Sequence, residues 1–179
     1  MAYTGKDFER NLEESWGNQV PDVSLLRLYD TMNGYKTVAN PCDYIVGSKH
    51  ATVYLECKTT KDAGFPLSNI TDNQFVQLNN VSLNTKYTAG GLLIYFREQH
   101  TEDRLMYYPI EQITRVKLSG RKSINPEKMQ MIGVPIKFKK KRVNIEIDCI
   151  HLLEVLNEFY SNGGEKLCQD RDFLRQTLE

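Results

Sequence analysis

The chain has 179 residues, 40% of them hydrophobic and 26% charged, with 23 basic and 23 acidic side chains that leave a formal net charge of zero. That length suits one domain spanning 1–179, and the balance excludes low-complexity disorder and a protein that coats nucleic acid non-specifically. No run nears the roughly 18 apolar residues of a membrane span, and Met1–Lys6 lacks the apolar stretch of a secretory signal, so an intracellular protein with no membrane partner is expected.

Thr4 with Asp7 three residues on forms a helix-capping pattern, and Phe8, Leu12 and Trp16 then repeat as one apolar stripe, predicting a helix over about residues 5–17. Val23–Tyr29 reads as a strand, followed by a polar, glycine-containing excursion through Asp30–Tyr35. Cys42–Val46 and Thr52–Thr59 read as two strands of a hairpin joined by Gly47–His50. Lys61–Pro66 breaks the pattern, and a helix over about 71–85 follows, burying Phe75, Leu78 and Val81. Gly90–Phe96 is a nearly continuous apolar run, expected to be buried on both faces in mid-sheet. A strand over Leu105–Ile110, a short helix over Glu111–Leu118, a strand or hairpin within Gly133–Ile147 and an amphipathic helix over Ile150–Tyr160 complete the pattern. After Ser161–Gly164 comes a C-terminal helix or tail. The fold class is α/β, a central mixed sheet flanked by helices.

The cysteines Cys42, Cys57, Cys149 and Cys168 form no Cys-x-x-Cys pair, and His50, His100 and His151 add no zinc-like spacing. Chemistry instead gathers at Glu56-Cys57-Lys58. Strand alternation sends Glu56 and Lys58 to one face and Leu55 and Cys57 to the other. Asp43, in the preceding arm of the hairpin, brings a second carboxylate to the same end of the sheet. Two carboxylates with the backbone carbonyl of Cys57 suit Mg²⁺, leaving room for water and a phosphate oxygen. Lys58 can orient the attacking water and neutralise developing charge, Gln74 can hydrogen-bond near the site, and Glu9 can approach the same cation. The competing reading of Glu56 and Lys58 is a surface ion pair, and that of Glu9 is a helix-dipole contact. Lys137, Lys139, Lys140, Lys141 and Arg142, with Arg121 and Lys122, form basic points suited to phosphate contact or to solvation.

These residues resemble the RecU-type Holliday junction resolvases of the PD-(D/E)xK nuclease superfamily. The resemblance rests on Gly5–Glu9 with Leu12, Cys42-Asp43-Tyr44, Leu55–Thr59, Phe65–Ser68 leading to Gln74, and Gly120–Ile124 followed by Pro135-Ile136, and it covers about 5–157. It implies a restriction-endonuclease-like core and a homodimer that cuts four-way DNA junctions symmetrically with Mg²⁺ or Mn²⁺, leaving 5′-phosphate and 3′-hydroxyl ends. In that setting Asp43 and Glu56 hold the metal, Lys58 is catalytic and Gln74 supports it. A cytoplasmic location in a bacterial or phage-infected cell is implied with it. Two departures stand out. Cys42 replaces an expected hydroxyl residue, and Tyr29–Asn40 is short for the family's projecting stalk. The alternatives are another repair or restriction nuclease of the superfamily, and a DNA-structure binding protein that does not cleave.

Overall fold

The computed structural model describes residues 3–20, 24–29, 40–84, 87–97, 102–127 and 132–161. Its strands are β1 (Leu25–Arg27), β2 (Tyr44–Gly47), β3 (Thr52–Thr60), β4 (Phe65–Pro66), β5 (Thr88–Phe96), β6 (Arg104–Pro109), β7 (Ser123–Ile124), β8 (Val134–Pro135), β9 (Phe138–Lys140) and β10 (Ile145–Ile147). The helices are α1 (Gly5–Gln19), α2 (Asp72–Asn84), α3 (Ile110–Leu118) and α4 (Cys149–Ser161). Six strands form the main sheet in the order β1-β2-β3-β5-β6-β8. Only β3 and β5 run parallel, joined through α2, so the sheet is mixed and the α/β expectation holds.

The two faces of the sheet have separate cores. Phe8, Leu12 and Trp16 of α1 and Leu152 and Leu156 of α4 pack with Leu55, Cys57, Leu93 and Tyr95 on one face. On the other, Leu78 of α2 and Ile110 and Ile113 of α3 pack with Leu92, Ile94 and Phe96. Alternation along β5 therefore feeds both cores, which explains its continuous apolar run. Each fully buried Leu or Phe stabilises the fold by about 1.5–3 kcal/mol.

α1 begins where its sequence pattern places it. Asp7 N donates to Thr4 Oγ1 at 3.4 Å, while Thr4 N donates to Asp7 Oδ2 at 2.8 Å. The polar stripe Asn11, Ser15 and Gln19 then serves as a docking edge for β10, accepting from the N–H groups of Ile145, Ile147 and Cys149 at 2.7, 3.0 and 2.9 Å. The match is geometric, because four helical residues rise about as far as two strand residues. Asn11 and Ser15 are buried, so these bonds also satisfy groups that water cannot reach.

On the opposite face, α2 lies directly on β5 at Gly90. A Cβ there would sit 2.5 Å from the Leu78 carbonyl oxygen, so only glycine permits this approach. Gly90 N donates to the buried Ser82 Oγ at 2.7 Å, which fixes the helix along the strand. Of the expected helical contacts, Leu78 is buried, whereas Phe75 and Val81 are only partly so.

Several boundaries differ from the sequence-based expectations. The first strand is confined to Leu25–Arg27 within the described residues, and β2 starts at Tyr44 because the Asp43 side chain turns away to bond the Cys57 N–H. The expected break at Lys61–Pro66 contains β4, which pairs with β7 through Phe65 opposite Ile124. Gly133–Ile147 resolves into β8 plus the β9–β10 hairpin. The excursion after Tyr29, from residue 30 to 39, lies outside the described residues, as does the tail from 162 on.

Candidate active site

The β2–β3 ladder ends at Tyr44 opposite Leu55, so among the described residues no strand pairs with this edge of β3 beyond that point. Asp43 fills the gap: its Oδ2 accepts from Cys57 N at 2.8 Å, while its own carbonyl accepts from Leu28 N at 2.8 Å. In a strand the N–H and C=O of one residue leave on the same edge. The Cys57 carbonyl therefore faces the Asp43 side, where sequence reasoning expects it as a ligand.

Glu56 projects to the α2 face and is only 2% exposed. Its Oε1 takes two donors, Lys58 Nζ at 2.8 Å and Gln74 Nε2 at 2.5 Å. Its Oε2 is buried and has no hydrogen-bond partner among the described residues. The pairing of Glu56 with Lys58 is thus not the surface ion pair that the bare triplet suggests. Burial, and next the Asp43 carboxylate, push the Glu56 carboxyl up to about 7, against the opposing pull of Lys58.

Gln74 is held in place from its own helix. Gln74 N donates to Thr71 Oγ1 at 3.2 Å, and Thr71 N donates back to Gln74 Oε1 at 3.1 Å, closing the α2 N-terminus. Lys58 Nζ also lies 3.4 Å from Gln74 Oε1. Lys58, Gln74 and Glu56 form one connected group.

Glu9, Asp43, Glu56 and Gln74 line a single cavity of about 480 Å³, together with Lys6, Arg27, Cys42 and Thr71. Glu9 does reach this cavity, but its Oε2 is engaged by Arg27 Nη2 at 2.7 Å. The other arm of Arg27 takes Glu13 Oε1 at 2.7 Å, and Tyr44 OH donates to that same oxygen at 2.9 Å. Burial, then Asp43, raise the Glu9 carboxyl above its usual range, with Arg27 pulling the other way. Sequence reasoning passed over Arg27 and Lys6 as cavity residues. The signal for Arg27 was present as the lone charge inside the apolar run Leu25–Leu28.

The donors fit a hard divalent cation. Glu56 Oε2 is a buried carboxylate oxygen without a partner among the described residues, and Asp43 supplies a second carboxylate close enough to raise its pKa. Among the described residues no group of three or more His, Cys, Asp and Glu side chains is placed to hold a metal. Two carboxylates and a carbonyl nonetheless suffice for Mg²⁺, which ordinarily keeps several waters. The nearby thiols are not nucleophiles. Burial drives Cys57 well above its ordinary value, with Asp43 and Glu56 adding to it, and pushes Cys42 up to about 12.

The basic residues separate into two places. Lys137 and Lys139 line a different cavity, of about 340 Å³, alongside Gln19, Glu146 and Asp148. Lys140 pairs with Asp103 at 2.8 Å and Lys141 with Glu146 at 3.0 Å, so part of that run is neutralised locally. Arg142 is exposed at the hairpin turn. Arg121 and Lys122 line a groove on the α2 side that shares Thr71 with the Glu56 cavity.

Among the described residues, no helix is long and apolar enough to cross a membrane. No curated protein matches the chain. Among solved structures, Hjc, a Holliday junction resolvase from the archaeal hyperthermophile Archaeoglobus fulgidus, is similar at 16% identity with a TM-score of 0.42, covering 67% of this chain and 85% of that one. Residues 23–157, most of the chain, match the family described as RecU, recombination protein U, and the chain belongs to that family.

Proposed function

We propose that this chain is a divalent-metal-dependent endonuclease that resolves four-way DNA junctions by paired, symmetric phosphodiester hydrolysis. Family membership supports the substrate class. The observation that carries the chemistry is the buried Glu56, with one oxygen held by Lys58 and Gln74 and the other without a partner, beside Asp43. A bound Mg²⁺ or Mn²⁺ would supply Lewis acidity toward a phosphate oxygen and activate water.

Asp43, Glu56 and the Cys57 carbonyl are the residues that would hold it. The protein's own groups do the rest. Gln74, fixed by Thr71, keeps the Glu56 carboxylate in one orientation. Lys58 brings a positive charge to the reacting phosphate and can orient the attacking water. Glu9, steadied by Arg27, borders the cavity as an additional acid. Hydrolysis then leaves 5′-phosphate and 3′-hydroxyl ends. Incisions in two opposed strands require two such sites related by a two-fold axis, so the working unit is a homodimer. The family resemblance implies that this work takes place in the cytoplasm of a bacterial or phage-infected cell.

The test is incubation with end-labelled four-way junction, linear duplex and flap DNA, with Mg²⁺ or with chelator. Paired nicks at symmetric positions of the junction, dependent on Mg²⁺ and abolished in Asp43→Asn, are expected. Cleavage by Asp43→Asn at the wild-type rate would overturn the site assignment.

A further inference from the structure

We propose that the groove between the Leu67–Thr71 segment and the end of α3 holds a backbone phosphate of the cleaved DNA strand, next to the scissile one. This rests on the endonuclease reading above and extends it to a second site. The groove, of about 510 Å³, is lined by Ser68, Thr71, Asp72, Lys117, Arg121 and Lys122, among others. Three cations face one carboxylate, so the groove is net positive. Neither Arg121 nor Lys122 makes an ion pair among the described residues.

The groove is built rather than incidental. β4 and β7, which lead into and out of its two sides, pair with each other, and Leu67 N donates to Lys122 O at 2.9 Å, which clamps two segments distant in sequence. Gly120, at φ 77, ends α3 in the left-handed conformation and turns Arg121 and Lys122 back toward Ser68. The Lys117 ammonium is held over the Phe75 ring, 4.0 Å from its centroid, and so leans toward α2.

Its position relative to the reaction is what assigns the ligand. Thr71 lines both this groove and the Glu56 cavity, and Gln74, bonded to Thr71, stands on the cavity side. A strand whose scissile phosphate lies over Asp43 and Glu56 meets Thr71 and then the cations as it leaves. Arginine and lysine beside a hydroxyl suit a phosphodiester oxygen.

The experiment uses Asp43→Asn protein, expected to bind without cutting, and the same protein carrying Arg121→Gln and Lys122→Gln. Binding to a four-way junction is measured against salt, with natural DNA and with single neutral methylphosphonates placed within two phosphates of the cut. The expected result is at least about a tenfold loss from the double substitution and a salt slope shallower by about 2, one phosphate for each protomer of the dimer. One methylphosphonate position should weaken the parent but have no further effect on the double variant. Equal losses at every methylphosphonate position in both proteins, or an unchanged salt slope, overturn the groove assignment while leaving the nuclease intact. If wild-type protein with Mg²⁺ leaves the junction uncut, the nuclease reading fails and the role on a cleaved strand falls with it. Both substituted side chains are exposed, and an unchanged urea midpoint confirms that folding is preserved.

Discussion

Glu56→Gln separates what the site does for chemistry from what it costs the fold. In the metal-free protein, burial and Asp43 raise the Glu56 carboxyl from 4.5 to about 7. Between those values the folded state holds a proton that the unfolded state has released, so stability falls as pH rises through this window and levels off above about 7. The displacement corresponds to at most about 3 kcal/mol against the ionised form. Glutamine keeps an acceptor for Lys58 and Gln74 but cannot ionise. In chelator at pH 8, Glu56→Gln is therefore expected to be more stable than wild type by up to about 3 kcal/mol, with the gain vanishing near pH 4.5. Urea unfolding followed by fluorescence between pH 4.5 and 8 measures this directly. Mg²⁺ should recover stability of the wild type at pH 8 and leave the variant unmoved, since only the wild type offers the charged oxygen. Parallel pH profiles for the two proteins in chelator would refute the reasoning, as would a less stable variant at pH 8.

Three further outcomes follow from neighbouring contacts. Gln74→Ala removes the amide that orients Glu56 and should lower the cleavage rate about 10–100-fold in single-turnover assays, with junction affinity little changed. A comparable fall in affinity would place Gln74 on the DNA instead. Gly90→Ala puts a methyl 2.5 Å from the Leu78 carbonyl oxygen, so α2 must shift; a loss of about 3 kcal/mol in urea unfolding is expected, and a neutral result would show the helix to be free to move. Asn11→Ala leaves the Ile145 N–H without its acceptor beneath α1 and should cost about 1–3 kcal/mol. A loss far below that range would mean that water replaces the side chain.

The joint behaviour of these positions reflects how the site is mounted. Glu56 sits on β3, inside the sheet, while its orienting amide comes from α2 and its companion Asp43 from the edge of β2. The direct seating of α2 on Gly90 places that amide through backbone packing rather than through long side chains. A displacement of α2 therefore reaches Glu56 through Gln74. Arg27 does similar work on the other side, tying Glu9 and Glu13 of α1 to β1.

Local pattern alone determined much of this molecule. Period-two alternation in Thr52–Thr59 sends Glu56 and Lys58 to the same face, the Phe8-Leu12-Trp16 stripe with its Thr4–Asp7 cap defines α1, and the apolar run at Gly90–Phe96 marks the central strand. Those features depend on neighbours within a few residues, so they are legible without the fold. Tertiary structure alone decided the environment of Glu56. Its near-complete burial, the carboxylate oxygen without a partner and the grip of Arg27 on Glu9 arise from segments far apart in the chain. The same holds for the meeting of Phe65–Ser68 with Gly120–Ile124, which periodicity cannot foretell because neither segment has a strand partner of its own until packing brings the two together. Electrostatic cost depends on what surrounds a charge in space, and that is set by the packing of the whole sheet and its helices.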